Sequence, residues 1–174
     1  RIVGSLAGLS MAGSGLIIIT AILFTQLRKH PYSLVLWLSL CDFMFSLKYV
    51  VVALHPDSAG LSQNHTVCTV TALYTNFFAL ASISWSAVMS FNLILNTARP
   101  FGDTKGYRII YHLFVWSISA TSTLLVGLSD DIGVSADGTC WFAVQRTFHW
   151  QFYVPLGCYF LLAVASTIFS IFRT

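Results

Sequence analysis

The chain has 174 residues, of which 56% are hydrophobic and only 9% are charged. Soluble domains carry about 25% charged residues. The composition therefore excludes an ordinary soluble domain and indicates a polytopic membrane protein in a lipid bilayer. The net charge is +3, and no basic run is long enough to predict binding to nucleic acid.

Five apolar segments are long enough to cross a bilayer as helices. They lie roughly at residues 2–27, 33–54, 67–96, 109–128 and 152–172. We therefore predict an all-α transmembrane helix bundle that forms one domain over residues 1–174. Because the chain starts at Arg1 and stops just after a span, we expect a longer protein, truncated here on its C-terminal side.

The first span places Gly4, Gly8 and Ala12 four residues apart. Small residues at this spacing let membrane helices approach closely, so we predict that this row packs against a neighbour. The third span, Val67–Asn96, has thirty residues without a charge but with many Ser, Thr and Asn side chains. Because hydrocarbon offers such groups no partner, we predict that this span is the central helix of the bundle.

The second span contains two charged residues, Asp42 and Lys48. An intramembrane carboxylate is costly and normally faces the bundle interior. We interpret Asp42, Asn76 and Asn92 as an intramembrane polar hub, with the alternative that Asp42 is a structural carboxyl bonded to Asn or Ser of a neighbouring span. Lys48 either offers its charge to an anionic ligand or extends its ammonium to the outer interface.

The distribution of cations predicts the orientation. Six lie on one side of the predicted spans, namely Arg28, Lys29, Arg99, Lys105, Arg108 and Arg173, whereas the other side has Arg1 and Arg146. The positive-inside rule then places the N-terminus outside. The possible glycosylation site Asn64, in a weak Asn-His-Thr signal, falls on the same outer side.

The four cysteines divide into two pairs. Cys68 and Cys140 lie on the predicted outer side, which is oxidising, and no other cysteine competes there, so we predict a disulfide between them. Cys41 and Cys158 lie within spans and are interpreted as buried thiols. No enzyme motif occurs, and the scattered histidines predict neither a metal site nor a cofactor.

Three stretches together resemble the seven-transmembrane G-protein-coupled receptors. They are Leu38–Val51 with its mid-span aspartate, Cys68 with Cys140-Trp141, and Phe152–Leu156 at the start of span five. Within that superfamily the chain most resembles the cyclic-AMP-receptor-like group, which is related to the secretin and frizzled receptors. The acidic-Arg-aromatic triplet of rhodopsin-like receptors is absent from the inner end of span three, which reads Asn92–Asn96.

The resemblance implies a plasma-membrane receptor, and not an enzyme, that signals from an extracellular ligand to a heterotrimeric G protein through a shift in helix packing. It also implies that this chain contains the first five of the seven spans of such a receptor. The expected ligand contacts are Lys48, Tyr74, Trp141, Arg146 and His149. The expected G-protein contacts are Arg28, Lys29, Arg99, Pro100, Phe101, Lys105 and Arg108.

Two alternatives remain open from the residues alone. In the first, the chain is part of a transporter or channel, with Asp42 and Lys48 in the conduction path. Against it, the five spans show no inverted repeat. In the second, the chain is an accessory membrane protein that binds no ligand and does not signal.

Overall fold

The computed structural model describes residues 2–24, 26, 32–54, 65–98, 105–129, 132–134, 140–142 and 153–173. The helices, in chain order, are α1 (Ile2–Leu23), α2 (Tyr32–Leu54), α3 (His65–Ala98), α4 (Arg108–Leu128) and α5 (Val154–Arg173). A 3₁₀ turn, Lys105–Tyr107, precedes α4. Two short strands, β1 (Ile132–Val134) and β2 (Cys140–Phe142), lie between α4 and α5.

Four of these helices are long and apolar enough to cross a membrane, and α5 has a shorter apolar stretch, Val154–Phe169. Large hydrophobic side chains such as Leu9, Ile22 and Leu128 are exposed on the outside of the bundle. In water this surface would be unfavourable, but it suits a hydrocarbon solvent. The all-α membrane bundle predicted from the sequence is confirmed.

Helix α3 is the centre of the fold, as predicted from its polar side chains. It contacts α2, α4, α5 and both strands, whereas α1 packs mainly against α2. The core lies where α2, α3 and α4 meet and includes Cys41, Trp85 and Val115, all fully buried. Because these three helices share one core, a change in the position of α3 must alter its contacts with both neighbours.

The α1–α2 contact differs from the predicted row of small residues. A Cβ atom added at Gly4 would lie 2.7 Å from the Cβ of Ala53, so Gly4 does mark a close approach. Gly8 has open space, however, and Ala12 is exposed, so the prediction is wrong for these two positions. The buried small residues of α1 are instead Ala7, Ser14 and Ala21, which recur every seven residues and keep one face towards α2.

The outer loop predicted at residues 129–151 contains a β-hairpin that the sequence did not reveal. Strands β1 and β2 are antiparallel, with Ile132 opposite Phe142, Gly133 opposite Trp141 and Val134 opposite Cys140. Three-residue strands are too short to show the period-two pattern by which strands are recognised. A two-stranded ribbon is only marginally stable alone, and this one rests on α3.

Candidate functional site

One end of the bundle is defined by the disulfide and is called the disulfide end below. Cys68 lies in the first turn of α3, and Cys140 is the first residue of β2. The two sulfurs are bonded, with the Cα atoms 5.2 Å apart and a sequence separation of 72. The predicted pairing is therefore present, and it attaches the hairpin to the central helix.

Of the other two cysteines, Cys41 is buried as predicted, but Cys158 is exposed on α5, where a buried thiol was expected.

Trp141 is the central residue of β2, and its partner across the ribbon is Gly133. Directly opposed residues of an antiparallel pair place their side chains on the same face. Because glycine has no side chain, the indole has no cross-strand side chain beside it at that position. The ring remains partly exposed at the disulfide end, so it is available for contact with a molecule that approaches from that side.

Lys48 of α2 lies beneath this strand. Its Nζ atom donates a hydrogen bond to the carbonyl oxygen of Cys140 across 3.1 Å. The same atom lies 5.0 Å from the ring centre of Trp141 and 5.4 Å from that of Tyr49, both within cation–π range. Only 7% of the residue is exposed. The ammonium therefore extends towards the disulfide end, where it is buried beneath the hairpin.

Tyr74, another expected ligand contact, forms a contact between helices. Its hydroxyl donates a hydrogen bond to the backbone oxygen of Met44 across 2.7 Å, and its ring lies 4.8 Å from that of Phe78. The bond connects α3 to α2 and occupies the polar end of the tyrosine. A ligand would therefore have to compete with this bond or contact the ring alone.

Two residues of the predicted polar hub, Asp42 and Asn76, lie at different helix interfaces. Ser82 of α3 donates a hydrogen bond to a carboxylate oxygen of Asp42, which is the structural alternative considered from the sequence. Asn76 instead faces α4, where its amide nitrogen donates to the hydroxyl of Thr123 across 3.3 Å. Asn92 is buried further along α3. The predicted single hub is therefore wrong for Asn76, which does not meet Asp42. The reason is helix geometry: two residues of one helix face the same neighbour only when a whole number of turns separates them.

Several buried polar atoms have no hydrogen-bond partner among the described residues. They include Oδ1 of Asn76 and of Asn92 and the hydroxyl oxygens of Ser84, Ser119 and Ser122. Unpaired polar atoms in a low-dielectric interior are costly. All of these side chains lie on α3 or α4.

The sequence did not predict an aromatic cluster that lies in the half of the bundle remote from the hairpin, near the starts of α2 and α4. The imidazole of His112 on α4 lies 5.0 Å from the ring of Trp37 on α2 and 4.9 Å from that of Trp85 on α3. Trp116, one turn along α4, donates its indole N–H to Nδ1 of His112 across 3.3 Å. Three indoles from three helices therefore surround one histidine. The available signal was a Trp or His in each of these spans, but their relative rotation was unknown.

Most of the expected G-protein contacts fall outside the described residues. This holds for Arg28, Lys29, Arg99, Pro100 and Phe101, and also for the ligand contacts Arg146 and His149 and for Asn64. Lys105 starts the 3₁₀ turn, and Arg108 is the exposed first residue of α4. Both lie at the end of α4 remote from the hairpin.

The arrangement is that of a polytopic membrane protein with a loop attached over one end of a helical bundle. The sequence profile of the Frizzled/Smoothened family membrane region matches residues 1–174, and the chain belongs to this family. The resemblance to seven-transmembrane receptors is thereby confirmed. Because its relatives are receptor-family proteins, the expectation that it is not an enzyme is confirmed as well.

Three relatives illustrate the similarity. The chain is 27% identical over 150 residues to latrophilin receptor-like protein A of Dictyostelium discoideum. This alignment covers 86% of this chain and 46% of that protein. It is 29% identical over 119 residues to G-protein coupled receptor 1 of Arabidopsis thaliana (68% and 34% covered). It is 23% identical over 198 residues to cyclic AMP receptor-like protein F of Dictyostelium discoideum (93% and 61% covered). The chain thus spans about a third to three-fifths of the length of these relatives.

Proposed function

We propose that the protein containing this chain is a plasma-membrane receptor that transmits the binding of an extracellular ligand to a heterotrimeric G protein. The observation that carries the proposal is the β-hairpin joined to the central helix by Cys68–Cys140, in a chain of the Frizzled/Smoothened family. The hairpin lies on the predicted outer side. A molecule that binds there contacts an element covalently attached to α3.

The proposed ligand site is at the disulfide end. Trp141 is partly exposed there, and Tyr74 of α3 bonds the backbone of α2. Lys48 is buried beneath the hairpin and supports the strand that carries Trp141. Arg146 and His149 follow β2 in the chain, so we include them as contacts on the strength of their position in the sequence. An exposed aromatic ring favours a ligand with an apolar part, and the charge of Arg146 would favour a ligand that also carries a negative group.

Signal transmission requires that the ligand bind one packing of the bundle better than another. Helix α3 contacts α2, α4 and α5 along its length, so a shift at its first turn extends to all three. The polar contacts Asp42–Ser82 and Asn76–Thr123 lie at two of these interfaces. Hydrogen bonds can exchange partners at a small net free-energy cost when alternative partners are near, which suits an element with two arrangements.

The proposed G-protein surface is the basic inner side, of which the structure describes the start of α4. Arg108 is exposed there. The same cations would also attract anionic lipid, at about 1 kcal/mol for each residue near the surface. An experiment must therefore separate contact with the G protein from contact with lipid.

The test uses the full-length protein in nanodiscs made only of zwitterionic lipid, mixed with purified heterotrimers of each Gα subfamily. Release of a fluorescent GDP analogue is measured without added ligand. We expect faster release than with empty nanodiscs, and roughly threefold slower release with Arg108→Gln than with the parent protein, because a charge at the rim of an interface mainly affects association. Arg108→Lys, which keeps the charge, is the matched control.

Two results would contradict the proposal. One is the absence of accelerated release with every Gα subfamily. The other is an Arg108→Gln effect that appears only when anionic lipid is included, since this would assign the residue to the membrane. A proton or ion flux through the same protein in liposomes, abolished by Asp42→Asn, would support the transporter alternative instead.

A further inference from the structure

We infer that Lys48 is a positioning residue that clamps the β-hairpin to α2, as a second and non-covalent attachment beside the disulfide. The inference goes beyond the proposed function, since it holds whether or not the protein binds a G protein. It also assigns a role to Lys48 other than direct contact with an anionic ligand.

The clamp depends on one residue of the hairpin, Cys140, which is held in two ways. Its side chain is bonded to Cys68 of α3, and its backbone oxygen accepts a hydrogen bond from Nζ of Lys48 on α2. A single position of β2 therefore connects two helices. A displacement of the strand at this point would act on α2 and α3 together.

The surroundings of the ammonium group favour a clamp over an open anion site. Lys48 is 7% exposed, and the rings of Trp141 and Tyr49 lie within 5.4 Å of Nζ. A desolvated ammonium needs such partners, because burial of an unpaired charge is very costly. An anion that approached Nζ from the hairpin side would have to displace the indole of Trp141.

The hydrogen bond from Lys48 also protects the disulfide from reduction. Cys68 is 5% exposed and Cys140 is 8% exposed, so a reductant reaches the disulfide only when the hairpin moves away from the bundle. Hydrogen bonds from charged donors are stronger than those between neutral groups. Loss of the bond from Lys48 should raise the population of the opened hairpin about tenfold or more.

The experiment measures how fast dithiothreitol reduces Cys68–Cys140 in the folded full-length protein, by alkylation of the released thiols and mass spectrometry. We expect reduction about tenfold faster in Lys48→Met than in the parent protein. The direction of the change in rate separates loss of the clamp from simple loss of a positive charge. Dithiothreitol attacks as a thiolate anion, so removal of a positive charge would slow the reaction if access to the disulfide were unchanged.

Two control variants frame the result. Lys48→Arg keeps a cationic donor and should react within about twofold of the parent rate. Val52→Ala changes an exposed residue one turn further along α2 and should leave the rate unchanged. If Lys48→Met does not fold, Trp141→Leu tests the clamp from the hairpin side, with an expected acceleration of about threefold from the lost cation–π contact.

An unchanged or slower reduction in Lys48→Met would overturn the inference. So would a dependence of the rate on the choice of chloride, sulfate or phosphate, at fixed ionic strength, that is present in the parent protein and absent from Lys48→Met. General salt effects on stability act on both proteins alike, so such a difference would show that free anions reach Lys48. Faster reduction in Lys48→Met with a normal rate in Lys48→Arg supports the clamp.

Discussion

Trp116 donates a hydrogen bond from its indole nitrogen to Nδ1 of His112, one turn earlier on α4, across 3.3 Å. This bond means that Nδ1 acts as an acceptor, so the neutral imidazole carries its proton on Nε2. The imidazole plane lies at 86° to the ring of Trp37 and at 75° to that of Trp85. Helices α2, α3 and α4 are joined at this point by ring contacts and by one polar bond within α4.

We expect His112→Phe to lower the stability of the bundle by about 1–2 kcal/mol, because the indole N–H of Trp116 loses its acceptor while a ring is retained. His112→Ala should cost about 2–4 kcal/mol, since a cavity is left among three indoles. Thermal unfolding in detergent, followed by tryptophan fluorescence, measures both. His65→Ala, at an exposed position, serves as the control, and equal effects at both histidines would contradict a special role for the cluster.

Removal of the disulfide should destabilise the protein and abolish its response to reductant. For Cys68→Ala/Cys140→Ala we expect a loss of about 2–4 kcal/mol, because the bond closes a long loop. The melting temperature of the parent protein should fall on addition of dithiothreitol, whereas that of the double variant should not change. Cys158→Ala alters an exposed free thiol and should have no effect. A double variant that still responds to dithiothreitol would contradict the prediction.

The Asp42–Ser82 bond joins α2 to α3 and predicts an ordered series of stabilities. Asp42→Asn keeps an acceptor oxygen and should change stability by less than about 1 kcal/mol, whereas Ser82→Ala leaves the carboxylate without this donor and should cost about 1–3 kcal/mol. The control is Ser86→Ala, because Ser86 is exposed and bonds only its own helix at the Ser82 oxygen.

A double-mutant cycle with Asp42→Ala and Ser82→Ala isolates the pair. We expect a coupling free energy of about 1 kcal/mol or more between the two positions. A value near zero, measured by chemical or thermal unfolding, would show that the contact does not contribute to stability.

The approach of α1 to α2 is tested by a pair of glycine substitutions. A Cβ at Gly4 would lie 2.7 Å from Ala53, so we expect Gly4→Ala to cost about 1–3 kcal/mol by overpacking. Gly8→Ala meets open space and should be neutral or slightly stabilising, because alanine favours the helix. Ala53→Gly should restore the stability of Gly4→Ala. A larger loss at Gly8 than at Gly4 would contradict the packing seen here.

The class of protein could be predicted from the sequence because a bilayer imposes a strong constraint on each span separately. A span needs about 20 apolar residues whose backbone groups are paired within the helix, and this signal does not depend on the neighbours. The Cys68–Cys140 bond was predictable for a similar reason, since position along the chain assigned both residues to one side. The central place of α3 followed from its own polar content.

The positions of individual side chains were decided only by the tertiary structure. Whether Asn76 meets Asp42 or Thr123 depends on the rotation of α3 about its axis and on the register of its neighbours. Neither can be deduced from the sequence of one span. The cluster around His112 needs three helices at once. The hydrogen-bond acceptor of Lys48 is a backbone oxygen of β2, 92 residues further along the chain. Hydrophobicity fixes which segments enter the membrane, but packing between segments decides which polar groups meet.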